Sequence, residues 1–214
     1  MTEAQHIVFD FDGTIADTFS MALSTFNPVA RELKIREIAP DDFDMIRSQG
    51  SRELMKTFGV SRWRLTRVLL RLRKEMTKAI DQTKVIEGMR EALTELQKKG
   101  YELGILTSNS VKNVELFLEL HDMKHLFNFI YSGKNIFGKK KVMLKMMRRE
   151  KIDRERIVYV GDETRDVEAS HKARIPVIAV TWGLNNRAVL EKSRPTRITD
   201  NPQDILPFVQ ELLG

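Results

Sequence analysis

Residues 6–18 read His6-Ile7-Val8-Phe9-Asp10-Phe11-Asp12-Gly13-Thr14-Ile15-Ala16-Asp17-Thr18. An apolar run over Ile7–Phe11 ends in two aspartates two positions apart, followed by Gly-Thr. A short, continuous apolar run is how a strand buried on both faces reads. Charge is costly to bury, so carboxylates where such a strand runs out call for a use.

Further runs of the same kind follow along the chain: Leu103–Leu106, Phe127–Tyr131, Ile157–Val160, Val177–Val180 and a weaker one at Arg197–Thr199. Between them lie amphipathic segments of helical length, Met89–Lys99, Val111–Leu120, Lys141–Glu150, Thr164–Ala173 and about Pro202–Leu213. Strand and helix in alternation predict an α/β fold, a Rossmann-like doubly wound parallel sheet with helices on both faces. Residues 16–85 break the rhythm. They read as several helices interrupted near Pro40, Gly50 and Gly59, which predicts an inserted α-helical cap subdomain. The expected division is 1–15 and 86–214 as core and 16–85 as cap.

The chain has 214 residues, 42% hydrophobic and 31% charged, as expected of a soluble globular protein. No run is long enough for a membrane span, and the N-terminus lacks the pattern of a signal peptide. Cysteine is absent, which excludes disulfides, thiolate catalysis and cysteine-ligated metals and suits a cytoplasmic setting. The net charge of +6 fits either an anionic partner or a solubility role.

Ligands of open parallel sheets bind beyond the carboxyl ends of the strands. After the first predicted strand come Asp10 and Asp12; after the second Thr107, Ser108, Asn109 and Ser110; after the third Ser132-Gly133, leading to Gly138-Lys139; after the fourth Gly161, Asp162, Glu163 and Asp166. Taken singly, each has a bland reading as a helix cap or turn. In this order they gather carboxylates, hydroxyls and a lysine at one sheet edge.

In that context DFDGTIADT resembles the first motif of the haloacid dehalogenase superfamily, Asp-x-Asp-Gly-Thr after a strand. Thr107 is similar to its second motif, Lys139 within FGKKK to its third, and GDETRD with Asp162 and Asp166 to its fourth. The helical insertion resembles the cap of the phosphoglycolate phosphatase and β-phosphoglucomutase branch. The resemblance covers the whole chain and implies a phosphatase acting on a small phosphorylated metabolite, phosphoglycolate being the leading choice. It implies Asp10 as nucleophile and Asp12 as acid to the leaving alcohol and then base to water. Thr107 would offer a hydroxyl, and Lys139 positive charge to the phosphoryl oxygens, with Lys140 and Lys141 as neighbours that pattern reading leaves open. Backbone N–H groups of Ser108 and Asn109, entering a helix, suit an anion. Mg²⁺ is the implied cofactor. Asp10 and Asp162 would be its direct ligands with the carbonyl of Asp12, and Asp166 would hold a metal-bound water or support the ligands. Glu163 is expected at the surface or behind them.

Asp12 argues against dehalogenation, whose family members lack an acid there, and Gly161-Asp162 in place of Glu-Asp favours a hydrolase over a phosphosugar mutase. A weakly catalytic binding protein is a further alternative. In the insertion, Arg52 within Gln49–Glu53 could grip an anionic substrate end; the bland alternative is a helix capped by Ser51 with Arg52 solvated. Ser61–Lys78 carries seven basic residues and one acid, with Leu65, Val68, Leu69 and Leu72 as a core-facing stripe. Trp63 apart, aromatics are sparse there, so a nucleic-acid partner is not expected. Trp182-Gly183 is expected on a loop at the active-site edge.

Overall fold

The computed structural model describes residues 4–78, 80–133 and 138–214. Phe137 of the third-motif stretch lies outside them, and the side chains of Ser51, Trp63, Leu65 and Leu69 lie outside the described residues as well.

Six parallel strands form one sheet in the order β3-β2-β1-β4-β5-β6: β1 His6–Phe9, β2 Glu102–Thr107, β3 Phe129–Ser132, β4 Ile157–Gly161, β5 Val177–Val180 and β6 Arg197–Thr199. Successive side chains alternate between the faces. Ile7, Phe9, Ile105, Val158, Val160 and Ile178 therefore pack on one side against α5 (Met89–Lys98), α6 (Val111–Leu120) and α10 (Ile205–Leu213). Val8, Leu106, Tyr159, Val177 and Ala179 pack on the other against α7 (Lys139–Glu150) and α8 (Thr164–Ala173). Burial on both faces is why these strands read as unbroken apolar runs.

The strand order reverses direction between β1 and β4, which pair in register from His6–Ile157 to Phe9–Val160. Such a switch point opens a crevice beyond the strand ends. Asp10 and Asp162 are the residues immediately beyond these two strands.

β1 stops at Phe9, two residues short of the expected end. Asp10 still donates its N–H to the Val160 carbonyl at 2.8 Å. Beyond it the chain folds over itself: the Phe11 carbonyl accepts from the N–H groups of Thr14, Ile15 and Ala16. Gly13 sits in this turn at φ +75°, a conformation favourable only to glycine. Phe11 is nonetheless fully buried, its ring edge-on to Phe117 at 5.1 Å. β3 begins two residues later than expected because Asn128 is used to anchor its approach: its N–H donates to the Leu103 carbonyl and its Oδ1 accepts from the Leu103 N–H. α7 starts at Lys139 rather than Lys141, and a short helix, α9 (Arg187–Lys192), was not foreseen.

Between β1 and α5 lie α1 (Phe19–Leu33), α2 (Phe43–Arg47), α3 (Ser51–Thr57) and α4 (Arg62–Lys78). They share a small apolar cluster around Ile46, Phe58, Val60 and Val68, joined by Phe26, Leu54 and Leu72. The chain leaves and re-enters the sheet region through adjoining backbones: Asp17 donates to Lys84 and Ile86 to Ile15, both at 2.9 Å. On α4, Arg71 pairs with Glu32 of α1 and with Glu75, so part of its basic side is engaged with acidic neighbours. Among the described residues, no helix is long and apolar enough to cross a membrane.

Candidate active site

Asp10, Asp162 and Asp166 converge from the ends of β1 and β4 and the first turn of α8, each almost fully buried. One carboxylate oxygen from each lies within 4.8 Å of the other two. Lys139, at the start of α7, points its ammonium into the cluster. Its Nζ donates to Asp10 Oδ2 at 2.6 Å and also to Asp166 Oδ1. It lies 5.1 Å from the centre of the Tyr159 ring, whose hydroxyl donates to the Leu106 carbonyl. Lys140 and Lys141 are exposed on the same helix, so the geometry separates three lysines that pattern reading left open.

Asp162 is held from two directions. Thr14 Oγ1 donates to its Oδ1 at 2.9 Å and the Leu184 N–H to its Oδ2 at 2.7 Å. A Cβ on Gly13 or on Gly183 would come within 2.4 or 2.2 Å of that Oδ2, so two glycines leave the room it occupies. Asp166 Oδ2 closes the N-terminus of α8 by accepting the Glu163 N–H at 3.1 Å.

Five acidic side chains, Asp10, Asp12, Asp162, Glu163 and Asp166, crowd around Lys139 and Arg165 in this region. Burial and the crowding of negative charge show in the protonation of Asp12, Asp162 and Asp166. Burial, then the charges of Glu163, Asp166 and Asp10, push the Asp162 carboxyl well above its usual range. Asp166 rises to about 6 through burial, with Lys139 opposing the rise. A divalent cation would relieve this repulsion, and an all-oxygen donor set suits Mg²⁺. The cluster fits such an ion.

Asp12 stands on the turn beyond Asp10. Its Oδ1 accepts from Asn109 Nδ2 at 3.0 Å. Burial and then the neighbouring Asp10 raise its carboxyl to about 6, so it holds its proton more firmly than an ordinary aspartate. Asn109 was expected to present its backbone N–H to an anion. That N–H instead donates to Thr107 Oγ1 at 2.9 Å, which also occupies the Thr107 hydroxyl as an acceptor. The Asn109 side chain is what reaches the site, steadied by Asn113 and by the Ser110 N–H.

A cavity of about 220 Å³ opens beside Asp12, Asn109 and Asp162. A second, of about 270 Å³, extends under the helices of the insertion and has Arg165 in its wall; Ser108, Glu163, Leu72 and Leu184 border both. Glu163, expected at the surface or behind the ligands, is buried and paired with Arg165.

The structure does not bring Arg52 to this site. Its side chain is 66% exposed and reaches toward Glu168 on α8 at 3.9 Å, while Leu54 and Met55 of the same helix line the larger cavity. Trp182 hydrogen-bonds through Nε1 to the Thr14 carbonyl at 3.1 Å, fixing the turn that carries Asp12. Asn185 was not foreseen. Its Oδ1 accepts the Thr164 N–H at 2.9 Å, and its Nδ2 donates to the Gln49 and Arg47 carbonyls at 2.9 and 3.4 Å. Asn, as a residue able to donate and accept at once, was the only signal for it.

The chain is similar to known proteins over nearly its whole length. The chain is 32% identical to phosphoglycolate phosphatase from Synechococcus elongatus over 209 residues, covering 98% of this chain and 99% of that one. It is 25% identical to pyrophosphatase PpaX from Bacillus mycoides, covering 97% and 98% of the two chains. Its fold is similar to that of a haloacid dehalogenase-like family hydrolase from Streptococcus pneumoniae, with a TM-score of 0.79, 22% identity and coverage of 97% and 99%. The family profile described as haloacid dehalogenase-like hydrolase matches residues 7–180, a span that runs from the first residues of β1 to the last of β5 and takes in every carboxylate of the cluster. By that match and the 32% identity, the chain belongs to the haloacid dehalogenase-like hydrolase family.

Proposed function

We propose that this chain is a Mg²⁺-dependent phosphatase that hydrolyses a small phosphorylated metabolite through an aspartyl-phosphate on Asp10. The observation that carries the reading is the division of labour between two aspartates two residues apart. Asp10 is held by Lys139 at 2.6 Å, while Asp12 is raised to about 6. The pair thus supplies a carboxylate for attack and a carboxyl that can give up a proton near neutral pH.

In the first half-reaction an Asp10 carboxylate oxygen attacks phosphorus. The bond from phosphorus to the ester oxygen breaks, and that oxygen takes the Asp12 proton as the alcohol leaves. In the second, Asp12 takes a proton from water as its oxygen attacks phosphorus. Inorganic phosphate departs and the Asp10 carboxylate is restored. Lys139 balances charge on Asp10 and the phosphoryl oxygens. Asn109 orients Asp12, Thr107 orders the loop that carries Asn109, and Ser108 lines the phosphoryl side of the cavity.

Asp10, Asp162 and Asp166 would hold Mg²⁺, with the Asp12 carbonyl as a further oxygen. The ion would supply charge neutralisation between the nucleophile and the phosphoryl group. Residues 16–85 are read as the cap that encloses the leaving group, and 1–15 with 86–214 as the catalytic core. The 32% identity to a phosphoglycolate phosphatase supports phosphoglycolate as the leading substrate. The absence of cysteine is in keeping with a cytoplasmic setting.

Phosphate release from phosphoglycolate, pyrophosphate, sugar phosphates and p-nitrophenyl phosphate, with Mg²⁺ or with EDTA, tests the reading. Metal-dependent release that vanishes in Asp10→Asn is expected. Release by Asp10→Asn, or release that survives EDTA, overturns the mechanism. An isomerised sugar phosphate without free phosphate would identify a mutase instead.

A further inference from the structure

We propose that Arg165 binds a second anionic group on the leaving part of the substrate, so that the preferred substrates are phosphate esters bearing a carboxylate or another phosphate. The inference rests on the phosphatase reading above and deepens it.

Arg165 occupies the first turn of α8, next to Asp166. The two side chains diverge. Asp166 turns into the cluster to meet Lys139, and Arg165 turns toward the larger cavity under the insertion. Its Nη2 donates to Glu163 Oε1. Its Nε and Nη1 are buried and have no hydrogen-bond partner among the described residues. The side chain as a whole is only 14% exposed. Leaving a buried charged donor unmade is among the more expensive omissions in a folded protein, and it points to a group that is supplied from outside.

The position of the cation decides which part of the substrate it meets. Arg165 borders the larger cavity and is not in the wall of the smaller one, where Asp12, Asn109 and Asp162 stand. The two cavities adjoin through Ser108, Glu163 and Leu184. A phosphoryl group at Asp10 and Asp12 would therefore send its leaving group toward Arg165. Apart from Ser108 and Glu163, the remainder of the larger cavity's wall is apolar, with Phe58, Val68 and Leu54 among its residues. In such surroundings a guanidinium binds an oxyanion more strongly than at an exposed surface, and its planar fork suits carboxylate or phosphate.

The test compares two phosphonates that cannot be hydrolysed, 3-phosphonopropanoate and propylphosphonate, titrated calorimetrically into the full chain with Mg²⁺ present. They share a three-carbon chain on phosphorus and differ in the terminal carboxylate. The wild type should favour 3-phosphonopropanoate by about 10- to 100-fold, the range of a charge-assisted hydrogen bond. Arg165→Gln should reduce that preference to near unity while binding propylphosphonate as the wild type does. Arg165→Gln removes the ion pair that Glu163 makes with Arg165, so the double variant Glu163→Gln/Arg165→Gln, which removes both charges of that pair, provides a second arm with the same expected loss. Equal or undetectable binding of both compounds by the wild type overturns the proposal, as does a preference that persists in the variants. An equal weakening of both compounds also overturns it, because Arg165 would then be acting on the phosphoryl end. Phosphonate binding does not depend on turnover, so a failure here is distinct from a failure of the phosphatase reading, which Asp10→Asn decides.

Discussion

Lys139 Nζ stands 2.6 Å from Asp10 Oδ2 and donates to Asp166 Oδ1 as well. One ammonium thus ties the residue after β1 to the first turn of α8. Removing it leaves two buried carboxylates facing each other with no cation between them. Lys139→Met should cost about 3–5 kcal/mol of stability in the metal-free protein, the penalty typical of orphaning a buried charge. Turnover should fall by at least about 100-fold, as when an electrostatic stabiliser is lost. Lys140→Ala and Lys141→Ala, on the exposed side of the same helix, should change neither. Thermal melts in EDTA and phosphate release with Mg²⁺ read the two effects, and a Lys139→Met protein as active as the wild type would remove Lys139 from the mechanism.

Asp12 gives a pH signature. Its carboxyl is raised from 3.8 to about 6, by burial first and by Asp10 second. Between these values the folded chain keeps a proton that the unfolded chain has released. Its contribution therefore favours folding as the pH falls through about 6 and is lost as the pH rises above it. In EDTA, going from about pH 7.5 to about pH 5 should stabilise the wild type relative to Asp12→Asn, which has no such proton. Melting curves that shift in parallel for the two proteins would contradict the raised value.

Gly183 and Gly100 make a matched pair. A methyl group at Gly183 would meet Asp162 Oδ2 at 2.2 Å, whereas at Gly100 nothing lies within 4 Å. Gly183→Ala should displace the Asp162 carboxylate, weaken stabilisation by Mg²⁺ and lower kcat/KM by about 10-fold or more, the loss expected from disturbing a metal ligand's surroundings. Gly100→Ala, at φ +89°, should cost about 1–2 kcal/mol of stability through backbone strain and leave Mg²⁺ binding intact. Mg²⁺-dependent shifts in melting temperature separate the two.

Arg52 provides the contrast to Arg165. Its guanidinium is 66% exposed and 3.9 Å from Glu168. Arg52→Ala should alter stability by no more than about 0.5 kcal/mol, as surface changes usually do, and should leave kcat/KM within about two-fold. A large rise in KM for an anionic substrate would restore Arg52 as a binding residue.

The fold was legible where both faces of a strand are buried. Val177–Val180 and Arg197–Thr199 have the ends that their apolar runs imply, and Thr164–Ala173 has those of its helical pattern. The reading failed where local hydrogen bonds outweigh apolarity. Phe11 is as apolar as Phe9, yet its carbonyl serves a turn and it leaves the strand. α9 spans only Arg187–Lys192, and its start depends on Asn186 Oδ1 accepting the Val189 N–H, a signal too short for periodicity to reveal. Within the site, Asp10, Asp12, Asp162, Asp166 and Lys139 were singled out because they follow or closely precede elements with a clear pattern and because the stretches around them resemble the family's motifs. Asn109 was named for its backbone and contributes its side chain instead. Arg165 and Asn185 depend on which elements meet in space, and no spacing along the chain encodes that meeting.

Asn185 ties the helical insertion to the start of α8. Its one amide holds the Thr164 N–H, at the start of the helix that carries Asp166, and the Gln49 and Arg47 carbonyls of the insertion. The Asn186 N–H adds a further bond to Arg47, and the preceding Leu184 N–H grips Asp162. Lifting the helical insertion away from the sheet must break the bonds to Gln49 and Arg47, and the strain falls on the same short loop that steadies two carboxylates of the cluster. For an insertion that opens as the proposed cap would, entry of substrate and order among the carboxylates proposed to hold Mg²⁺ would be coupled through this one loop.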